Sequence, residues 1–189
     1  MNQKIIRCGW VGDDPLMILY HDREWGVLLH DDNKLFEFLI LDCFQAGLSW
    51  STILKKRFNL RRAFDQFDPA KIARYKEDKI KKLLANPGIV RNHAKILATI
   101  TNAQKFLEIQ REFFSFDKYI WNFVGGKPIV HKFKKITDLP SSTEESDKMS
   151  EDLKRRGFKF VGSTICYAFM QAAGLVNDHV TGCFRYSEL

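Results

Sequence analysis

Asp42 has the setting in this chain that most clearly points to chemistry. It follows the apolar run Leu-Phe-Glu-Phe-Leu-Ile-Leu at 35–41. A carboxylate at the end of such a run faces a partly dry space, where it must find hydrogen-bond partners or shift its pKa. Gln45 adds a second polar group one turn on. Ala46-Gly47 then breaks the helix with small residues, and Ser49 can cap a new helix starting at Trp50. A carboxylate, a tight turn and an aromatic plate together suit a flat polar ligand. The plainer alternative is a helix–turn–helix corner with a buried Trp. A second constellation is split between the chain's ends. Cys8 and His21 lie near one, His179 and Cys183 near the other. Two Cys and two His make a complete tetrahedral zinc set. With four protein ligands and no open position, such a zinc is structural and joins the termini. The alternative is two buried thiols and two ordinary histidines.

The elements that must position these groups read as helices. Asp14-Pro15 starts a short one over 15–21, which carries Tyr20 and His21. Asp31-Asp32-Asn33 caps the helix leading to Asp42, with Leu35, Phe36, Leu39 and Cys43 on its apolar face. After Ser49, residues 50–58 continue as a helix whose opposite face is basic. A helix over 77–84, the turn Asn86-Pro87-Gly88-Ile89 and a long helix to about Gln110 form a helix–hairpin–helix pattern over 78–110. Its turn exposes backbone N–H groups beside a helix N-terminus, which suits a phosphate. Further helices are expected over 115–124 and from Ser142-Thr143-Glu144-Glu145, where Ser142 and Glu145 have capping-box spacing, to Gly157. A last helix starts after a Ser163 cap and stops at Gly174. Residues 129–137 look extended, but no strand ladder is evident, so the fold class is all-α. His30, His93 and His131 have no partner in the pattern and are expected in solvent. Cys43 and Cys166 fall on apolar helix faces.

Composition bounds the function. The 189 residues are 45% hydrophobic, enough for one large domain, taken here as 1–189, and carry a net charge of +7. That charge favours an anionic partner, with nucleic acid first. No apolar run is long enough to cross a membrane, and residues 1–7 are too short an apolar stretch for a signal peptide. A cytoplasmic protein is expected, whose four cysteines are thiols or metal ligands. No Walker loop, dinucleotide fingerprint or Gly-x-Ser-x-Gly is present.

The sequence also resembles a known family. Cys-Gly-Trp-Val at 8–11, Asp-Pro-Leu at 14–16, Tyr-His-Asp-x-Glu-Trp-Gly-Val at 20–27 and Gln-Ala-Gly-Leu-Ser-Trp at 45–50 are similar to the 3-methyladenine DNA glycosylase I family. So are Lys-Arg-Arg-Gly-Phe-Lys-Phe-Val-Gly at 154–162, Ile-Cys-Tyr at 165–167 and Gln-Ala-x-Gly-Leu-Val-Asn-Asp-His-Val-x-Gly-Cys at 171–183. The resemblance implies an all-helical helix–hairpin–helix glycosylase with structural zinc on Cys8, His21, His179 and Cys183. It implies hydrolysis of the N-glycosidic bond of 3-methyladenine in double-stranded DNA by a monomer, with free base as a product. By position, the family's base-pocket residues fall on Asp42, Tyr20, Trp10 and Trp50. Gly47 and Leu48 match the turn that enters the DNA where the base has left, and Pro87, Gly88 and Ile89 match the hairpin. Asp42 stands where the family usually has Glu, Cys43 where it has Gly, and Met17 near a common aromatic. A non-catalytic binder of damaged or bent DNA is the competing reading, and release of free base separates the two.

Overall fold

The computed structural model describes residues 5–189, so residues 1–4 of the stretch read for a leader lie outside it. Asp14 accepts from the Leu16 amide at 2.9 Å, and Pro15 occupies the first turn of α1 (Pro15–Arg23), which runs two residues past the expected end. The Asp31 side chain accepts from the Lys34 amide and opens α2 (Asp32–Gln45). The helix ends at Gln45, at the break expected of Ala46-Gly47, and carries Asp42 in its last turn. Every α2 residue from Leu35 to Phe44 is buried, where the sequence pattern assigned burial to one face. A helix buried all round is the centre of its domain.

The Ser49 side chain accepts from the Thr52 amide and opens α3 (Trp50–Ala63) as expected. The basic face of α3 is not wholly solvated. Arg57 is 8% exposed, and its Nε donates to Glu37 Oε1 at 2.8 Å while its Nη1 donates to Glu24 Oε2 at 2.6 Å. Glu37 also accepts from Arg61 Nε at 2.7 Å. A carboxylate buried on α2 thus recruits cations that residue type alone assigns to solvent.

Short α4 (Pro69–Ile72), α5 (Glu77–Ala85), the long α6 (His93–Phe113) and α7 (Phe116–Trp121) follow. The expected 115–124 helix is α7 plus a 3₁₀ turn, Asn122–Val124. Next come β1 (Ile129–Val130), α8 (Glu144–Arg155), α9 (Ser163–Ala172) and β2 (Val176–Asn177). The capping box at the start of α8 is made by Thr143 and Ser146, one residue beyond the Ser142–Glu145 pair whose spacing predicted it. Gly162, not Ser163, is the N-cap of α9; the Ser163 hydroxyl turns instead to Ser146 Oγ at 2.9 Å and to Asp147.

Contrary to the reading without strands, β1 and β2 pair in parallel, with Ile129 opposite Val176 and Val130 opposite Asn177. A two-residue strand has no room for an alternating pattern, so it leaves no periodic signal. The pairing ties the lysine-rich segment to the C-terminal arm. Gly174, at φ +75°, lets the arm pass close to Val27, whose carbonyl carbon and oxygen lie 2.7 Å from where a Cβ would stand. Among the described residues, no helix is long and apolar enough to cross a membrane.

Candidate functional site

Helices α1, α2, α3 and α9, with the segment before α1, enclose a cavity of about 410 Å³. Trp10, Tyr20, Asp42 and Trp50, expected from the sequence, all line it. The Trp10 ring lies 6.4 Å from Tyr20, and Tyr20 lies 5.1 Å from Trp50. Asp42 is 3% exposed, and among the described residues its Oδ2 has no hydrogen-bond partner. The indole N–H of Trp50 is also buried without an acceptor. Burial pushes the Asp42 carboxyl well above the usual carboxylate range. It pushes the Tyr20 hydroxyl up too, with the nearby Asp42 charge adding, so Tyr20 remains a protonated donor.

Met17, Trp25, Gln45, Ile136, Leu139, Ala168 and Gln171 complete the walls. Gln171 was not singled out from the sequence, although it lies in a quoted motif. Its Nε2 donates to Asp178 Oδ2 at 2.7 Å, which leaves its carbonyl oxygen free as an acceptor. Gln45 Nε2 is likewise engaged, by Leu48 O at 2.9 Å. Asp178 also accepts from Tyr167 at 2.5 Å and pairs with His131 at 2.6 Å. His131 is therefore not free in solvent; His30 is exposed as expected, but it meets Asp117 at 2.8 Å and stacks 4.7 Å from Trp121. Both partners are distant in sequence, so residue spacing held no sign of them. Of the three positions that differ from the family pattern, Asp42 and Met17 line the cavity and Cys43 does not. Cys43 turns away to donate to Phe160 O at 3.4 Å, behind the pocket.

Cys8, His21, His179 and Cys183 meet beneath the aromatic wall, their donor atoms all within 4.8 Å of one another and all four residues buried. Cys8 Sγ lies 3.5 Å from His179 Nδ1, and Cys183 Sγ lies 3.4 Å from His21 Nε2 and 3.5 Å from His179 Nδ1. A tetrahedron with Zn–S of about 2.3 Å and Zn–N of about 2.0–2.1 Å has S···N edges of about 3.5 Å. The outer nitrogens are held as metal-bound imidazoles require. His21 Nδ1 meets Asp22 Oδ1 at 2.7 Å, and His179 Nε2 donates to Trp25 O at 3.2 Å. Arg7 grips Asp22 through Nε and Nη2. The Cys8 thiol, helped by His179 and His21 against the effect of burial, draws the Cys183 thiol well below its ordinary range, and the same bond pushes Cys8 up. One sulfur is thus poised as a thiolate, the form that binds metal. The four residues can hold a metal ion.

Gly47 and Leu48 are exposed at the end of α2, Gly47 at φ +76°. The hairpin differs from its expected form in one respect. The Gly88 N–H does not point to solvent but donates to Asn86 Oδ1 at 2.9 Å, and the Ile89 N–H goes to Asn86 O at 3.4 Å. The side of Gly88 where a Cβ would stand faces Asn59 of α3 at 3.1 Å. The Asn side chain before the Pro-Gly turn folds back on it, as such side chains do. Pro87 is exposed and Ile89 buried. The Asn92 N–H donates to Val90 O at 2.9 Å, so at the exposed start of α6 it is His93 and Ala94 that offer N–H groups to a phosphate.

A buried, unpartnered carboxylate among aromatic rings suits a flat heterocycle with hydrogen-bond donors or positive charge. The protein belongs to the methyladenine glycosylase family, whose model matches residues 10–186. It is 52% identical over 180 residues to DNA-3-methyladenine glycosylase 1 of Escherichia coli, covering 95% of this chain and 96% of that one. A crystal structure of a 3-methyladenine DNA glycosylase I, 52% identical, superposes with a TM-score of 0.92 over 95% of this chain and 98% of the other. The 3-methyladenine DNA glycosylase I of Staphylococcus aureus, solved to show how it recognises 3-methyladenine, is 37% identical with a TM-score of 0.91, covering 94% and 95%.

Proposed function

We propose that this protein is a DNA glycosylase that hydrolyses the N-glycosidic bond of 3-methyladenine in alkylated double-stranded DNA, the first step of base excision repair. The observation that carries the reading is Asp42: a carboxylate oxygen with no protein partner, inside an aromatic-walled cavity. Methylation at N3 leaves adenine cationic in DNA. The bond to C1′ breaks with its electron pair going to the base, which departs neutral and needs no strong acid. Water adds to C1′ and gives up a proton, leaving an abasic sugar. Flipping the base out of the stack costs a few kcal/mol, less for a damaged base. The faces of Trp10, Tyr20 and Trp50 attract the cation, and Asp42 accepts from the exocyclic amine and balances the charge.

The same reading makes residues 1–189 one helix–hairpin–helix glycosylase domain, acting as a cytoplasmic monomer. Zinc on Cys8, His21, His179 and Cys183 would be structural, fixing the segment that carries Trp10, Tyr20 and Trp25 against the C-terminal arm. Gly47 and Leu48 would fill the space left by the flipped base. The Pro87-Gly88-Ile89 hairpin would grip the backbone without reading bases.

Incubated with methylated DNA, the protein should release free 3-methyladenine and leave abasic sites. DNA binding without release would make it a binder of damaged or bent DNA. The hairpin is best tested at Arg91, because Gly88 packs against α3. Arg91→Glu puts a negative charge beside the start of α6, which favours the helix but repels phosphate. Affinity should fall roughly tenfold for damaged and undamaged duplex alike, and the log–log salt slope should shrink by about one. A loss confined to damaged DNA moves the hairpin out of the backbone-gripping role.

A further inference from the structure

Lys95 lies in the first turn of α6, just after the hairpin, yet only 6% of it is exposed. Its ammonium reaches the far side of the pocket helix. Nζ donates to Phe44 O at 2.7 Å and to Ala46 O at 2.5 Å, the carbonyls where α2 ends. Those carbonyls lack intrahelical donors and carry the negative end of the helix dipole. The Phe160 ring, 6.0 Å from the ammonium, covers it. Within the turn beyond, Leu48 N–H donates to Gln45 O at 2.7 Å and Gln45 Nε2 donates to Leu48 O at 2.9 Å.

We infer that Lys95 is a positioning residue that couples the hairpin's grip on the DNA backbone to the turn at Gly47-Leu48, setting that turn for base extrusion. The inference rests on the glycosylase reading. The geometry gives the lysine this role and withholds the usual one: a 6% exposed ammonium already spent on two carbonyls is not a phosphate contact. It is also not a pocket residue, since it does not line the cavity. A base already free in solution needs no extrusion, so it should bind without help from Lys95. Base release from duplex needs the turn in register with the gripped backbone, because a misplacement of about 1 Å at a reacting centre costs on the order of a hundredfold.

Lys95→Met keeps the length of the side chain and removes its donors, and Lys95→Gln restores a donor on a shorter stem. Three quantities separate the roles: affinity for free 3-methyladenine by calorimetry, single-turnover base release from methylated duplex, and the salt dependence of duplex binding. For Lys95→Met, free-base affinity should stay within about twofold and the salt slope should not change. Release should fall at least roughly tenfold, in kcat and not in KM. Lys95→Gln should recover part of the rate. Release unchanged in the Met variant overturns the inference, as does a loss of free-base binding in step with release in both variants, which marks a plain core support. A salt slope reduced by about one makes Lys95 a phosphate contact instead. Wild-type protein that releases no base refutes the glycosylase reading itself, independently of Lys95.

Discussion

Asp42→Asn is expected to weaken binding of free 3-methyladenine roughly ten- to a hundredfold, because a mismatched buried group costs about 1–3 kcal/mol. The substitution keeps the size of the side chain but replaces an acceptor oxygen with a donor facing the amine of the base, and it removes the charge that attracts a cationic base. Calorimetry on the free base and base release from methylated DNA should fall together. Asn matching wild type in both assays removes Asp42 from the recognition role. Burial holds the Asp42 carboxyl well above its ordinary range, so base release should rise with pH as this group ionises, and Asn should abolish that limb. Stability runs the other way. A carboxyl whose folded pKa is raised contributes fully below its unfolded pKa of about 3.9, and the contribution is lost as pH climbs through the folded value. The Asn variant should therefore melt above wild type at neutral and alkaline pH, with the gap closing in acid. Asp42→Glu is expected to preserve or improve binding. Of the three neighbours able to compensate for the short carboxylate, Cys43 points to Phe160 O and Phe44 packs 5.6 Å from Phe64, which leaves Met17 alone on the cavity wall. A tenfold loss in the Glu variant would mean the pocket is built around the shorter side chain.

Purified protein should carry about one zinc per chain, and Cys183→Ser should lose it. The expected cost is large. Structural zinc in small domains is worth about 10–16 kcal/mol of binding, comparable to the roughly 5–15 kcal/mol that holds a domain folded. Partial recovery by hydrogen bonds among the remaining ligands still leaves a loss of several kcal/mol. At about 2–4 °C per kcal/mol for a chain of this size, Tm should drop on the order of 10 °C or more. Base affinity should fall as well. The Trp10 ring rests 5.4 Å from His21, and Trp25 rests 4.6 Å from His179, so the metal's ligands support the pocket's rings. Metal-free protein with unchanged Tm and unchanged base binding excludes this role.

Local chemistry was decided by the sequence alone. The caps at Asp14, Asp31, Ser49 and Thr143 each satisfy an amide within three residues, so residue type and short spacing suffice to place them. Donor chemistry alone brought together Cys8, His21, His179 and Cys183, because a soft metal accepts few other sets. The family's motifs marked Asp42, Tyr20, Trp10 and Trp50, all of which line one cavity. What tertiary structure decided is which side each residue faces. Arg57 left the expected basic surface because Glu37, twenty positions earlier, lies buried beside it. Gly88 turned against α3 and lost its amide to Asn86. Ile136, Leu139 and Gln171 became pocket walls through a two-residue parallel pairing and a carboxylate at 178. Lys95, the third residue of an ordinary helix, reached the end of α2 across forty-nine positions to Ala46. Such contacts are made by helices packing at long range, where the energy belongs to a pair of surfaces and not to either segment, so neither segment's sequence carries its sign.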